Sequence, residues 1–159
     1  MLTPLTVADA AAMATVLGNP GLYRLTGGSP PSVAELEQQY HRQTQGPWPP
    51  HEGWLNWVVR TNAAAPVGYV QATVTVSSEQ AALAWVIGPE YQRRGYGAVA
   101  AGAVTTWLAD HGITVLLAHI RRGHLASEAL VSGLGFHPTG QLDPDGEQTW
   151  RLRLSSNRG

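Results

Sequence analysis

Gln92-Arg93-Arg94-Gly95-Tyr96-Gly97-Ala98 stands between a short apolar run, Leu83-Ala84-Trp85-Val86-Ile87, and an alanine-rich segment that ends at Gly112. The apolar run reads as a buried strand, stopped by Gly88-Pro89. Beyond the glycines, Tyr96, Val99, Ala100, Ala103, Val104, Trp107 and Leu108 recur at helical spacing, and Gly112 is a natural stop. Two glycines therefore open a helix whose first backbone N–H groups carry no side chain in front of them. Such a helix start attracts anions, because unpaired N–H groups and the positive end of the helix dipole face the same point. Arg93 and Arg94 add fixed positive charge beside it, and a pyrophosphate is the ligand that fits.

The flanks supply the rest of the fold. Residues 2–5 read as a short strand, Val7–Leu17 as a helix capped by Thr6 with Asp9 in its first turn, and Val33–Gln43 as a helix capped by Ser32 with Glu35 in its first turn. Gly46-Pro47-Trp48-Pro49-Pro50 is a stiff aromatic loop. Strands at Trp54–Arg60 and Val67–Ser77, joined by a hairpin-length turn, lead into the Trp85 strand as an antiparallel meander. After the glycine helix come a strand, Thr114–Ile120, and a helix from His124 to Leu134 with Gly135 as its left-handed cap. Two further strands follow, Phe136–Gln141 and Thr149–Leu154, divided by Asp143-Pro144-Asp145-Gly146. This order predicts an α+β fold with a mixed, mostly antiparallel sheet of six to seven strands and four helices, in one domain over residues 1–159.

Composition narrows the function. Hydrophobic content of 43% suits a globular chain, whereas 13% charged residues is about half the usual share. No run approaches the roughly 18 apolar residues of a membrane span, and the first residues lack the pattern of a signal peptide, so a cytoplasmic location is expected. The absence of cysteine excludes disulfides, thiolate metal sites and cysteine nucleophiles. A net charge of −1 gives no reason to expect nucleic acid as a partner. All ten basic residues are arginine, and four of them form the pairs Arg93-Arg94 and Arg121-Arg122, each just past a strand. Arginine binds phosphate bidentately and keeps its charge. The six histidines show no close pair backed by carboxylates, so no metal site is expected.

Two readings of the glycine motif compete. Gly95-Tyr96-Gly97-Ala98-Val99-Ala100 fits G-x-G-x-x-A of a dinucleotide turn, with Arg121-Arg122 available for a 2′-phosphate. In that fold, however, the glycines follow their strand directly, and here Gly88–Arg94 intervenes. Gln92-Arg93-Arg94-Gly95-Tyr96-Gly97 instead resembles the Q/R-x-x-G-x-G/A motif of the GNAT superfamily of N-acetyltransferases. His124-Leu125-Ala126-Ser127 followed by Leu134-Gly135-Phe136 resembles that family's second landmark. The segment around Thr6–Asp9, Asn19–Tyr23 and the closing Asp145-Gly146-Glu147 with Trp150 look like the branch of ribosomal-protein N-terminal (alanine) acetyltransferases.

The resemblance implies acetyl-CoA bound in a splayed gap between the fourth and fifth strands. Its pyrophosphate would lie on Arg93, Arg94, Gly95, Tyr96, Gly97 and Ala98, beside Gln92, and its pantetheine arm along Trp85, Val86 and Ile87. An N–H near Val86 would polarise the thioester carbonyl, and Pro89, which has no N–H, would end the strand pairing there. Direct attack by an amine follows, with no enzyme nucleophile. The family's usual tyrosine acid corresponds to Val131 here, so Ser127 becomes the candidate proton donor; a serine bonding an i−4 carbonyl is the alternative. His124 replaces the family's asparagine as a weaker cap beside the cofactor. The frequent glutamate base falls at Ala82, leaving Glu79, His51, Glu52 and His119 as candidates, His119 on the strand lining the gap. A site without a strong base suits an α-amine better than a lysine amine.

Peptide α-amines, polyamines and aminoglycosides all remain open as acceptors, and a catalytically silent acyl-CoA sensor is the alternative outside enzymes. Trp48, Trp54 and Trp57 are candidate walls of a substrate pocket. Ala101, Thr105 and Ala109 on the outer face of the glycine helix are a candidate dimer contact, leaving monomer or homodimer open.

Overall fold

The computed structural model describes residues 1–24, 27–47, 50–75 and 77–155. One sheet of seven strands takes in both halves of the chain: β1 (Leu2–Pro4), β2 (Glu52–Arg60), β3 (Pro66–Thr75), β4 (Gln80–Ile87), β5 (Val115–Ile120), β6 (His137–Leu142) and β7 (Gln148–Arg153). Their order across the sheet is β1-β2-β3-β4-β5-β7-β6. Every neighbouring pair is antiparallel except β4 and β5. Four helices flank it: α1 (Ala10–Val16), α2 (Val33–Gln45), α3 (Tyr96–Asp110) and α4 (Leu125–Leu134).

Local chemistry sets the helix ends. The Ser32 hydroxyl accepts from the Glu35 amide at 3.1 Å while the Glu35 carboxylate accepts from the Ser32 amide at 3.4 Å, a capping box at the start of α2. The first predicted helix divides into a single 3₁₀ turn, Val7–Asp9, and α1. There Asp9 accepts from the Thr6 amide and hydroxyl and pairs with Arg60 at 2.7 Å, tying the turn to β2. Burial opposes ionisation of Asp9, but the Thr6 amide and the Arg60 guanidinium outweigh it, so its carboxyl lies below the usual carboxylate range.

The sheet has an apolar cluster on each face. Val59, Val70, Leu83, Leu116 and Ile120 pack under α3 and α4, with Val104, Leu108 and Val131 from the helices. On the other face Leu5, Met13, Leu36, Tyr40 and Val58 join α1 and α2 to the sheet. The outer face expected of α3 is corrected by this packing. Ala101 is fully buried, whereas Val99 and Trp107 are exposed. A helix apolar all round offers no periodicity to choose between faces.

Glycine decides one close approach in the sheet. A Cβ on Gly68 of β3 would overlap the Val86 carbonyl oxygen and come within 2.9 Å of Ile87 Cα. The exit of β4 can therefore lie tight against β3 only because residue 68 has no side chain.

Candidate active site

The parallel pairing of β4 with β5 covers only Gln80–Ala82 against Val115–Leu117. Beyond Ala82 the two strands part, and β5 continues to pair with β7 on its other side. The gap thus opens well before Pro89, correcting the expectation that this proline ends the pairing. Pro89 instead opens a one-turn 3₁₀ helix, Pro89–Tyr91, that leads into the glycine loop.

The backbone of β4 beside the gap divides by alternation. Gly88 donates to the Val67 carbonyl at 2.8 Å, and the register pairs Val86 with Tyr69. Hydrogen-bonded pairs alternate in an antiparallel ladder, so Val86 exchanges its backbone bonds with Tyr69. The peptide groups of Trp85 and Ile87 are the ones turned to the gap. The Gln92 side chain donates to the Ile87 carbonyl at 2.9 Å. The Val86 N–H is thus engaged in the sheet, the gap-facing N–H groups near it are those of Trp85 and Ile87, and Gln92 braces the loop against the strand exit.

The glycine loop ends in two left-handed residues, Arg93 with φ 63° and Gly95 with φ 84°. Arg93 is a strained choice there and Gly95 an easy one, and such turns gather backbone N–H groups into an anion-binding hollow. The first intrahelical bond of α3 runs from the Val99 amide to the Gly95 carbonyl at 3.0 Å. The amides of Tyr96, Gly97 and Ala98 precede it and point out of the helix end. At Gly97 a Cβ would meet Leu130 Cδ1 at 3.0 Å and Ile87 Cγ1 at 3.5 Å. This glycine thus permits close packing of α3 on α4 and β4.

These features share one cavity of about 1020 Å³. Trp85, Val86, Ile87, Gln92, Arg93, Gly95, Tyr96, Gly97, Ala98, His119, His124 and Ser127 all line it. Arg94 is exposed and lies outside its wall, as do His51, Glu52 and Glu79. Glu79 sits at the closed end of the sheet, its carbonyl accepting from the Thr114 amide at 2.9 Å. Glu52 accepts from the indole of Trp54 at 2.9 Å at the far end of β2. Trp54 accordingly does not line the cavity and borders instead a small neighbouring pocket with Gln43, Asn56 and Gln71. Trp57 borders it but packs edge-on against Trp107, with ring centroids 5.8 Å apart. Trp48 lies outside the described residues.

On α4, His124 is a working cap, its Nδ1 accepting from the Ser127 amide at 3.2 Å. That contact leaves the proton on Nε2. The Ser127 hydroxyl makes no bond to the i−4 carbonyl among the described residues. Val131 is fully buried, so no hydroxyl is offered at the place of the family tyrosine. On β5, His119 Nδ1 lies 3.2 Å from the Thr149 hydroxyl and 3.6 Å from Asp143. The carboxylates of Asp143, Asp145 and Glu147 gather within 4.8 Å of one another on the turn between β6 and β7.

Sequence reading missed the other wall. Asn56, Tyr69 and Gln71 from the sheet, Gln39, Tyr40 and Gln43 from α2, and Tyr23 line the cavity on the α1–α2 side. The Tyr40 hydroxyl and Gln43 Oε1 are buried without partners among the described residues. Burial raises the Tyr69 phenol to about 12 and pushes Tyr40 still higher, so both remain neutral O–H donors. Only the period-2 alternation of β2 and β3, which puts Asn56 and Gln71 on one face, was available to find them.

A family model described as an acetyltransferase (GNAT) domain matches residues 1–137. The chain belongs to the GNAT acetyltransferase family. No curated protein matches it in sequence. Among solved structures, a domain from Methanocaldococcus jannaschii superposes with a TM-score of 0.76 at 20% identity, covering 97% of each chain. An aminoglycoside acetyltransferase, AAC(6')-Ib, in complex with paromomycin and acetyl-CoA gives 0.79 at 18% identity over 96% of this chain and 92% of its own. Spermidine N-acetyltransferase from Vibrio cholerae in complex with CoA and spermine gives 0.78 at 16% identity over 98% and 96%. At these identities the likeness is one of fold. Among the described residues no helix is long and apolar enough to cross a membrane.

Proposed function

We propose that this protein transfers the acetyl group of acetyl-CoA to a primary amine by direct attack, with the α-amine of a peptide or small molecule as acceptor. The observation that carries this is the meeting, in one cavity, of the β4–β5 gap with the open N-terminus of α3. Acetyl-CoA supplies an activated acyl thioester. The amides of Tyr96, Gly97 and Ala98, with Arg93, hold its pyrophosphate, and the gap-facing peptide groups of Trp85 and Ile87 pair with the pantetheine arm. One of these N–H groups polarises the thioester carbonyl. The acceptor nitrogen forms the new C–N bond as the C–S bond breaks. His119 takes the proton the amine gives up, and Ser127 donates its hydroxyl proton to the departing sulfur, regaining one from water.

Energetics favour an α-amine. Freeing one of pKa about 7.8 at pH 7 costs about 1 kcal/mol, against about 4–5 kcal/mol for a lysine amine near 10.4. A histidine suits the smaller task. The neutral lining of Asn56, Gln71, Tyr40 and Tyr69 also suits an acceptor without multiple charges. Resemblance to the ribosomal-protein N-terminal branch supports the same choice. A second reading, a polycationic acceptor such as a polyamine or aminoglycoside, draws on the carboxylates of Asp143, Asp145 and Glu147 beside His119.

Thiol release from acetyl-CoA should be measured with peptides bearing free or blocked N-termini, spermidine and kanamycin. Turnover only with free N-termini supports the first reading, and turnover with spermidine or kanamycin supports the second. Coenzyme A binding with no thiol release across the panel would instead mark an acyl-CoA sensor. A thermal shift with NADPH and none with coenzyme A would overturn the cofactor assignment.

A further inference from the structure

We propose that Asp143 is a positioning residue that fixes the ring tautomer of His119, so that the Nε2 lone pair is free to take the acceptor's proton. The inference rests on the acetyltransferase reading and deepens it. His119 on β5 stands directly opposite Thr149 on β7. Its Nδ1 is 3.2 Å from the Thr149 hydroxyl oxygen and 3.6 Å from Asp143 Oδ2. Thr149 alone does not choose a tautomer, because a hydroxyl both donates and accepts. If it donated to Nδ1, the ring proton would sit on Nε2, and that nitrogen, which has no partner among the described residues, would carry no lone pair.

The carboxylate removes that freedom. Its negative charge repels a lone pair on Nδ1 and attracts an N–H there, so Nδ1 is the donor and Thr149 the acceptor. The carboxylate itself is fixed: Asp143 Oδ1 accepts from the amides of Asp145 at 3.0 Å and Glu147 at 2.8 Å. Those bonds leave Oδ2 for the ring, and the Asp143 side chain is only 14% exposed. The turn between β6 and β7 is thus a bracket that orients a side chain of β5. When an ammonium acceptor loses its proton, the N–H electron pair stays on the amine nitrogen and the proton moves to Nε2. The resulting imidazolium then has Asp143 beside its Nδ1–H, and the proton leaves to solvent, which reaches the 35% exposed ring.

Long-range ¹H–¹⁵N spectra of histidine-labelled protein read the tautomer without turnover. Wild type is expected to show His119 as Nδ1–H. Asp143→Asn retains an oxygen for the turn amides but no charge. It should shift the ring to Nε2–H and lower kcat tenfold or more, with KM for acetyl-CoA within twofold; Asp143→Glu should restore much of kcat. Thr149→Val, which leaves the carboxylate in place, should retain Nδ1–H and covers the case in which Asp143→Asn fails to fold. An Nε2–H ring in wild type, an unchanged tautomer in Asp143→Asn, or a flip in Thr149→Val would overturn the proposal. If His119→Ala kept kcat within threefold of wild type, the proton-acceptor role would fall while acetyl transfer stood. Absence of transfer to any amine by wild type would remove the acetyltransferase reading instead, and the tautomer would still report on Asp143.

Discussion

Placing a carboxylate at residue 98 separates the two consequences of an open helix N-terminus. Ala98 is the third residue of α3, exposed, and lines the cavity beside the free amides. In Ala98→Glu the new charge lies in the first turn, where the helix dipole favours it by about 0.3–1 kcal/mol. The unliganded protein should therefore be as stable as wild type or slightly more so. The same charge faces the proposed pyrophosphate. At a separation of about 6 Å and an effective dielectric near 20, one pair of like charges costs about 3 kcal/mol, or roughly 100-fold in affinity. Calorimetric titration with coenzyme A at low salt, beside thermal unfolding without ligand, reads both quantities. The affinity loss should shrink as salt rises, because the site is open to solvent. Ala98→Gln, which has the bulk without the charge, should lose less than tenfold. An Ala98→Glu protein that unfolds normally and binds coenzyme A within threefold of wild type would refute the pyrophosphate assignment.

Ser127→Ala should lower kcat by about 100-fold or more, as loss of a general acid does, with coenzyme A affinity nearly unchanged; steady-state kinetics with a good acceptor check this, and a kcat within threefold returns the thiolate's proton to water. Gly68→Ala forces a Cβ into the Val86 carbonyl and Ile87, and should destabilise by about 1–3 kcal/mol, seen as a drop of several degrees in Tm. The lowered folded-state pKa of Asp9 contributes stability that is present above about pH 4 and lost as pH falls through the folded value. Melting curves from pH 6 to 3 should show this fall in wild type and a shallower one in Asp9→Asn.

What could be read from sequence was what is local. The Gln92–Ala98 loop, the Ser32 cap and the Gly135 stop each depend on residues within one or two turns, and the structure has them where the sequence put them. The misassigned face of α3 had a different cause. Its buried stripe is Ala100, Ala101, Val104 and Leu108, hardly more apolar than the exposed Val99, Ala103 and Trp107. Trp107 instead stacks on His111 at 3.8 Å and meets Trp57 edge-on, contacts that a count of apolar spacing cannot supply. The position of the gap was likewise hidden, because parting of β4 from β5 depends on what each strand pairs with elsewhere, and Pro89 was merely the nearest visible breaker.

The two halves of the cavity differ in how they are encoded. The proposed cofactor side is written in one continuous stretch, since backbone amides recognise phosphate and need only a permitted turn. The proposed acceptor side is assembled from α2, β2, β3, β5 and the β6–β7 turn, and no segment of fewer than a hundred residues contains it. Asn56 and Gln71 show why it still carries information. They face each other on one rung of the sheet, between the apolar Val58 rung and α2. The two amides are half-buried, and neither side chain has a hydrogen-bond partner among the described residues. From the helix above, the Tyr40 hydroxyl and Gln43 Oε1 are buried without partners among the described residues, which costs free energy unless something hydrogen-bonds them. Four polar side chains line one cavity without satisfying one another, which supports the proposal of an acceptor with both donors and acceptors to offer. A peptide backbone beside its own α-amine meets that requirement, and a bare alkyl polyamine, which offers only donors, leaves the tyrosine and amide N–H groups unmatched.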